Sequence, residues 1–124
     1  MLAADPDALL ARLREICLAL PETAEKISHG SQAFHVKGKM FAYFTHNHHG
    51  DDLTVVQIKT SGRDEQDILL EADPDLFLFP PYIGVAGWLS MSVGGDDPVD
   101  WDHIAERVRI SYRLAAPRKL AALV

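Results

Sequence analysis

Three imidazoles and two carboxylates fall within one short stretch, His46-Asn47-His48-His49-Gly50-Asp51-Asp52. Ring nitrogens and carboxylate oxygens are the donors divalent metals take, so this is the first place to look for a metal centre. The spacing matches neither the two-histidine helix of a zinc protease nor a Cys/His finger, and no rigid element fixes the donors. The stretch therefore reads as a solvated turn whose charge changes near neutral pH, and no metal or other cofactor is expected. Asp64, Glu65, Asp67, Glu71 and Asp73 offer oxygen ligands too, but acids near a helix start are what the helix dipole favours. The single cysteine, Cys17, lies on an apolar helix face and reads as a buried, inert thiol. With one cysteine, neither an internal disulfide nor a multi-cysteine zinc site is available. No nucleophile–base pair, nucleophile elbow or phosphate-binding glycine loop is legible, so no catalytic residue is assigned and no enzyme activity is expected.

The second chemistry within reach is contact with phosphates. Lys37-Gly38-Lys39 sits where a tight hairpin is expected, and two ammonium groups at a hairpin tip could clasp a nucleic-acid backbone. Lys26, Lys59 and Arg63 could extend that face, since alternate strand positions share one side of a sheet. Arg109, Arg113, Arg118 and Lys119 form a second basic group near the C-terminus. Each group has a plainer reading. Lysines at strand edges keep a sheet soluble and discourage strand addition, and arginines late in a helix complement its negative end. A third possibility is carried by aromatics: Tyr82, Trp88 and Trp101 could build a pocket or stacking platform around the Pro80–Trp88 loop, or simply fill the core. Gly84-Val85-Ala86-Gly87 spells a GxxG string, but without the basic residues of an RNA-clamping loop.

The elements that must position these residues follow from period and punctuation. Asp5-Pro6 opens a helix as N-cap and first helical residue. Leu9, Leu13, Ile16, Cys17 and Leu20 give it one apolar face, and Leu20-Pro21 closes it. Strands are expected over Glu25–His29, Ala33–Val36, Met40–Thr45 and Leu53–Lys59, the second and third joined by Lys37-Gly38-Lys39 with Gly38 supplying the positive φ. Arg63–Ala72 reads as an acidic helix with Ile68, Leu69 and Ala72 inward. A Pro-rich loop leads to a strand at Gly87–Val93. Asp100 caps the last long helix, whose buried stripe is Trp101, Ile104, Val108, Tyr112 and Ala115; Pro117 ends it, leaving a short final turn.

At 124 residues with 48% apolar side chains, the chain fits a single domain over residues 1–124 with a core that needs no staples. The net charge of −6 is unevenly spread. Residues 64–102 hold ten acids and no base, whereas residues 26–63 and 103–124 are locally basic. The global acidity argues against indiscriminate binding to phosphate backbones, while the two basic segments are expected on a common face. The uncharged run between Asp75 and Asp96 is long enough for a membrane span, but Pro80-Pro81 and the alternation of Leu89, Met91 and Val93 with serines make it a loop and a strand. No export signal is read at the start, so a cytoplasmic, monomeric protein without membrane contact is expected.

Glu15-Ile16-Cys17-Leu18-Ala19-Leu20-Pro21, His29-Gly30 before Ala33-Phe34-His35-Val36, Gly38-Lys39-Met40-Phe41-Ala42, Pro81-Tyr82 leading to Gly87-Trp88-Leu89, and Ser111-Tyr112-Arg113-Leu114-Ala115-Ala116-Pro117-Arg118-Lys119-Leu120 together resemble the MmcQ/YjbR family. The resemblance runs in order from about residue 9 to residue 122. It implies an α+β fold: a curved antiparallel β-sheet of about five strands backed by N- and C-terminal helices, similar in shape to a double-wing DNA-binding domain and to frataxin. It also implies a DNA-binding module, and with the basic residues read above contact with double-stranded DNA through phosphates is expected, Lys37 and Lys39 foremost. The alternative is a small protein- or ligand-binding domain using the Pro80–Trp88 loop. A basic patch favours the first, an apolar concavity the second.

Overall fold

The structure, a computed structural model, describes residues 5–47, 50–95 and 98–124. The first helix, α1, spans Pro6–Leu18, and Asp5 caps it by accepting the Asp7 N–H. Leu9, Leu13 and Cys17 form its buried stripe, with Ile16 and Leu20 packed alongside. The helix stops two residues before Leu20 because the Thr23 hydroxyl donates to the Cys17 and Leu20 carbonyls and turns the chain into β1.

Six strands follow in one open antiparallel sheet: β1 (Thr23–Ser28), β2 (Ser31–Val36), β3 (Lys39–His46), β4 (Thr54–Lys59), β5 (Phe77–Leu78) and β6 (Trp88–Ser92), in the order β1-β2-β3-β4-β6-β5. The sixth strand, beyond the five expected, is the two-residue β5, whose pairing of Phe77 with Met91 and Leu78 with Ser90 closes the far edge. Both early hairpins turn on two residues with positive φ, His29-Gly30 and Lys37-Gly38. That is the primed-turn geometry that matches strand twist, so Lys39 belongs to β3 rather than to the turn.

The helices α3 (Trp101–Ala115) and α1 pack on one face of the sheet. The core lies between, built from Phe34, Val36, Phe41, Ala42, Val56, Ile58, Leu89 and Met91 against Leu13, Ile104, Val108 and Tyr112. A bulge where β2 pairs β3 opposes Phe34-His35 to Ala42 and Met40, so Phe41 is the extra residue and consecutive Phe41 and Ala42 are both fully buried. The same bulge interrupts the next ladder. By register Lys59 N–H would meet Phe41 C=O, but the Ser111 hydroxyl of α3 stands between them, accepting from Lys59 N at 2.9 Å and donating to Phe41 O at 2.6 Å. Tyr112 next to it donates to Pro21 O, tying α3 to the turn after α1. The expected cap of α3 is present, with Asp100 accepting the His103 N–H, and of the expected stripe Ile104, Val108, Tyr112 and Ala115 are buried while Trp101 is only partly so. The chain ends in the short α4 (Arg118–Ala121) after Pro117.

One helix presents a different face from the one expected. In α2 (Arg63–Ala72), Ile68 is 67% exposed and Ala72 also faces solvent. Gln66 is completely buried, with Leu69 and Leu70 beside it, because the stripe at i, i+3, i+4 starts from Gln66. Its amide nitrogen donates to Gly84 O and Trp88 O at 2.6 and 2.7 Å, bracing α2 against the loop that precedes β6. No helix among the described residues is long and apolar enough to cross a membrane.

Candidate functional site

The helices leave the other face of the sheet open, and register places its residues. Ala33, Tyr43, Gln57, Ser90 and Leu78 form one cross-strand row, and Thr45, Val55 and Ser92 form the next. These positions alternate with the core set, and Tyr43, Thr45, Gln57, Ser90 and Ser92 bring hydroxyl, amide and aromatic groups beside the aliphatic Ala33, Val55 and Leu78. Over the two rows lies a cavity of about 460 Å³. Its floor is Tyr43, Thr45, Val55, Gln57 and Ser90; Ser28, His29 and Ser31 border it at one end; Asp51 and Leu53 stand at the rim. The remaining wall is the continuous segment Leu78–Ile83.

That wall is held firmly. Pro80-Pro81 stiffens it, and Ile83 N donates to Pro81 O at 2.7 Å around Tyr82, which has φ 65 and ψ −61. This is a three-residue turn of the strained, positive-φ kind, unusual for a tyrosine. Tyr82 is 86% exposed, so the expected aromatic trio is split. Trp88 is buried on the open face against Tyr43, ring centroids 5.1 Å apart, and Trp101 lies beside Arg12 on the helical side. The Phe79 ring lies against Gly84: a Cβ built on Gly84 would fall 2.4 Å from the ring, so only glycine lets the wall close. Arg63 rests on the same ring at 5.3 Å, and the 3-10 turn Ile83–Ala86 continues from there to Gly87. A second concavity of about 350 Å³, edged by Asp73, Asp75, Asp100 and His103, lies beside β6 and the start of α3.

The nine candidate phosphate contacts are dispersed. Lys26 and Lys59 occupy open-face register positions, and Lys59 Nζ sits 5.9 Å from the Trp88 ring centroid. Lys37, at the hairpin tip, is paired with Glu22 at 2.7 Å, while Lys39 is exposed at the start of β3. Arg63 begins α2. Arg109 and Arg113 belong to α3, on the opposite face of the sheet, and share Glu106 at 2.9 and 3.8 Å. The hydrogen bond from Arg109, with the charges of Arg109, Arg113 and Arg107, holds the Glu106 carboxyl below its ordinary value. Arg118 and Lys119 are exposed in α4. The common basic face expected from the charge blocks is thus divided between the two sides of the sheet.

A buried cation escaped the sequence reading altogether. Arg107 is 7% exposed, and its Nη1 lies 3.6 Å from Glu65 across the α2–α3 contact. Burial pushes the Glu65 carboxyl upward, but the Ser61 N–H and Arg107 together bring it below its ordinary value. In the histidine turn, His46 Nδ1 is 2.7 Å from Thr54 Oγ1, Asn47 Oδ1 accepts from Asp52 N, and Asp51 Oδ1 accepts from Leu53 N. His48 and His49 lie outside the described residues, and among those described no group of three or more His, Cys, Asp or Glu side chains could hold a metal ion. Cys17 is fully buried, and burial pushes its thiol well above the ordinary value, as its place on α1 led us to expect.

No protein among the curated ones matches the sequence. A solved structure, that of Deinococcus radiodurans protein DR2400 with its DUF419 domain, superposes with a TM-score of 0.67 at 22% identity, covering 85% of this chain and 76% of that one. At that identity the likeness speaks for the fold. The family model YjbR matches residues 18–114, from the end of α1 to nearly the end of α3, and with most of the sequence inside that match the chain belongs to the YjbR family.

Proposed function

We propose that this chain is a non-enzymatic binding domain whose ligand occupies the open face of the sheet beneath the Leu78–Ile83 wall. One observation carries the reading: a concavity of about 460 Å³ joins a floor of spaced hydroxyl and amide groups to an apolar, braced wall. That size and mix fit sites for small organic molecules, mostly apolar with a few placed polar groups. The wall carries strained backbone at Tyr82 and a position at Gly84 that only glycine fits, and strain of this kind supports a functional reading. A screen of small ring compounds read by amide chemical shifts is the test. Hits should move Tyr43, Gln57 and Ser90, and Thr45→Trp, which fills the cavity from its floor, should abolish them. Hits that leave those three amides unmoved would overturn the reading.

A second reading, non-specific contact with double-stranded DNA, is favoured by Lys26, Lys39, Arg118 and Lys119, which are exposed and make no ion pair among the described residues. The commitment of Lys37 to Glu22 and the division of the cations between two faces weigh against it.

A further inference from the structure

The polar groups on the described lining of the open-face cavity are mostly hydroxyls and an amide, which both donate and accept, so its selectivity turns on charge. Gln57 Nε2 donates one hydrogen bond to Ser90 Oγ at 3.2 Å, and Gln57 Oε1 accepts from no described residue. At the rim, Asp51 Oδ1 accepts the Leu53 N–H at 3.0 Å, and the other carboxylate oxygen accepts from no described residue. Among the described residues Asp51 is the one carboxylate on the lining, no lysine or arginine lines the cavity, and Asp51 forms no ion pair. An anionic ligand would meet the Asp51 carboxylate and the Gln57 Oε1 acceptor with no lysine or arginine on the described lining to neutralise it. A ligand that brings its own positive charge and N–H donors would satisfy them. The walls add a shape requirement, because Tyr43 and Phe79 border the space, and aromatic borders favour a flat ring.

We infer that the ligand is a flat aromatic ring carrying a protonated amine, the ring lodged between Tyr43 and the Phe79 wall and the ammonium group held at the rim by Asp51. The inference rests on reading this cavity as the ligand site. It makes Asp51 a specificity residue: it selects amines over neutral and acidic analogues of one ring, while the cavity itself selects the ring.

The test uses the full chain at pH 7 and three probes that share one ring: tryptamine, indole and indole-3-acetate. Amide chemical-shift titration should show all ring-dependent changes at Tyr43, Gln57 and Ser90. Tryptamine should bind about fivefold more tightly than indole, the size of an exposed ion pair, and indole-3-acetate should bind more weakly than indole. Asp51→Asn retains an acceptor for the Leu53 N–H, so the turn is preserved. It should erase the advantage of tryptamine and leave indole unchanged. If indole-3-acetate binds as tightly as tryptamine, or Asp51→Asn leaves the tryptamine preference intact, the amine assignment is overturned while indole shifts at the three amides still support the cavity. If none of the three probes moves those amides, the cavity reading falls and the inference with it.

Discussion

At the scale of single residues, Gln66, Gly84 and Ser111 decide more than their types suggest, and the first two give measurable outcomes. Gln66 is a polar residue with no exposure, and its amide satisfies two carbonyls, those of Gly84 and Trp88. Replacing it by leucine keeps the volume but strands both acceptors in an apolar setting. Gln66→Leu should therefore cost about 2–4 kcal/mol in urea unfolding, whereas Ile68→Ser on the exposed side of α2 should stay within about 0.5 kcal/mol. The opposite ranking would show that α2 packs through Ile68 after all. Gly84 answers a different question. Its φ is ordinary, so alanine is excluded only by the Phe79 ring. Gly84→Ala should push that ring toward the cavity, abolishing ring-compound binding with a modest fall in stability of about 1–2 kcal/mol, as for overpacking elsewhere. Retained binding would mean that Phe79 is not a wall of the site. Ser111 bridges the Lys59 N–H and the Phe41 C=O where the ladder between β3 and β4 breaks. That hydroxyl is what lets a bulged sheet accept α3 without leaving buried backbone groups unpaired.

At the scale of elements, α1 and β1 are joined by Arg14, whose guanidinium meets Glu25 with both fork arms at 2.6 and 2.8 Å. The hydrogen bonds from Arg14 hold the Glu25 carboxyl below its ordinary value. A carboxyl depressed in the fold stabilises it above the unfolded value, near 4.5, and that contribution disappears as pH falls through the lower, folded value. Glu25→Gln should accordingly lower stability by about 1 kcal/mol at pH 7, discounted for the exposed Arg14, and by progressively less as the pH is taken below 4.5. Denaturant midpoints across that range are the check; a loss that stays constant into acid would remove the ion pair as its cause. How far the sequence reveals such elements depends on whether the signal is local. Asp5-Pro6 and Asp100 mark their helices by capping chemistry, and the bounds of α2 are readable to the residue. Its inward face is not, because the apolar Ile68 looks buried and the polar Gln66 looks exposed until the partner carbonyls of Gly84 and Trp88 are in place. The two-residue β5 has too few positions to show a period, and only pairing with β6 makes it a strand. The Pro80–Trp88 loop was legible as an aromatic segment, but its cavity needed β3, β4 and β6, whose Tyr43, Gln57 and Ser90 look like an ordinary solvent-facing set in sequence. The alternation that places them was visible; what they jointly border was not.

At the scale of the whole molecule, charge separates the two functional readings. A protein of net charge −6 is repelled by a duplex at long range, so any affinity must come from a local cluster of cations. Each phosphate contact contributes about −0.9 to the slope of log K against log salt, and a cluster of three would give about −2.7. At the expected hairpin tip Lys37 is held by Glu22, which leaves Lys39 as the cation of that turn without an ion pair among the described residues. Exchanging that ion pair for a phosphate contact gains little, since one exposed pairing replaces another. Titration of fluorescent duplexes at physiological salt should therefore give binding no tighter than about 10⁻⁴ M, the weak end of non-specific association, with little dependence on sequence. At low salt the slope should lie near −1, and Lys37→Ala with Lys39→Ala should change it by less than one unit rather than the two expected if both touched phosphates. Ring-compound binding at the sheet face should be unaffected by the same pair of substitutions, because neither lysine lines the cavity. Micromolar duplex binding at physiological salt, lost in the double variant, would reverse the order of the two readings and make the β2–β3 hairpin the working part of the molecule.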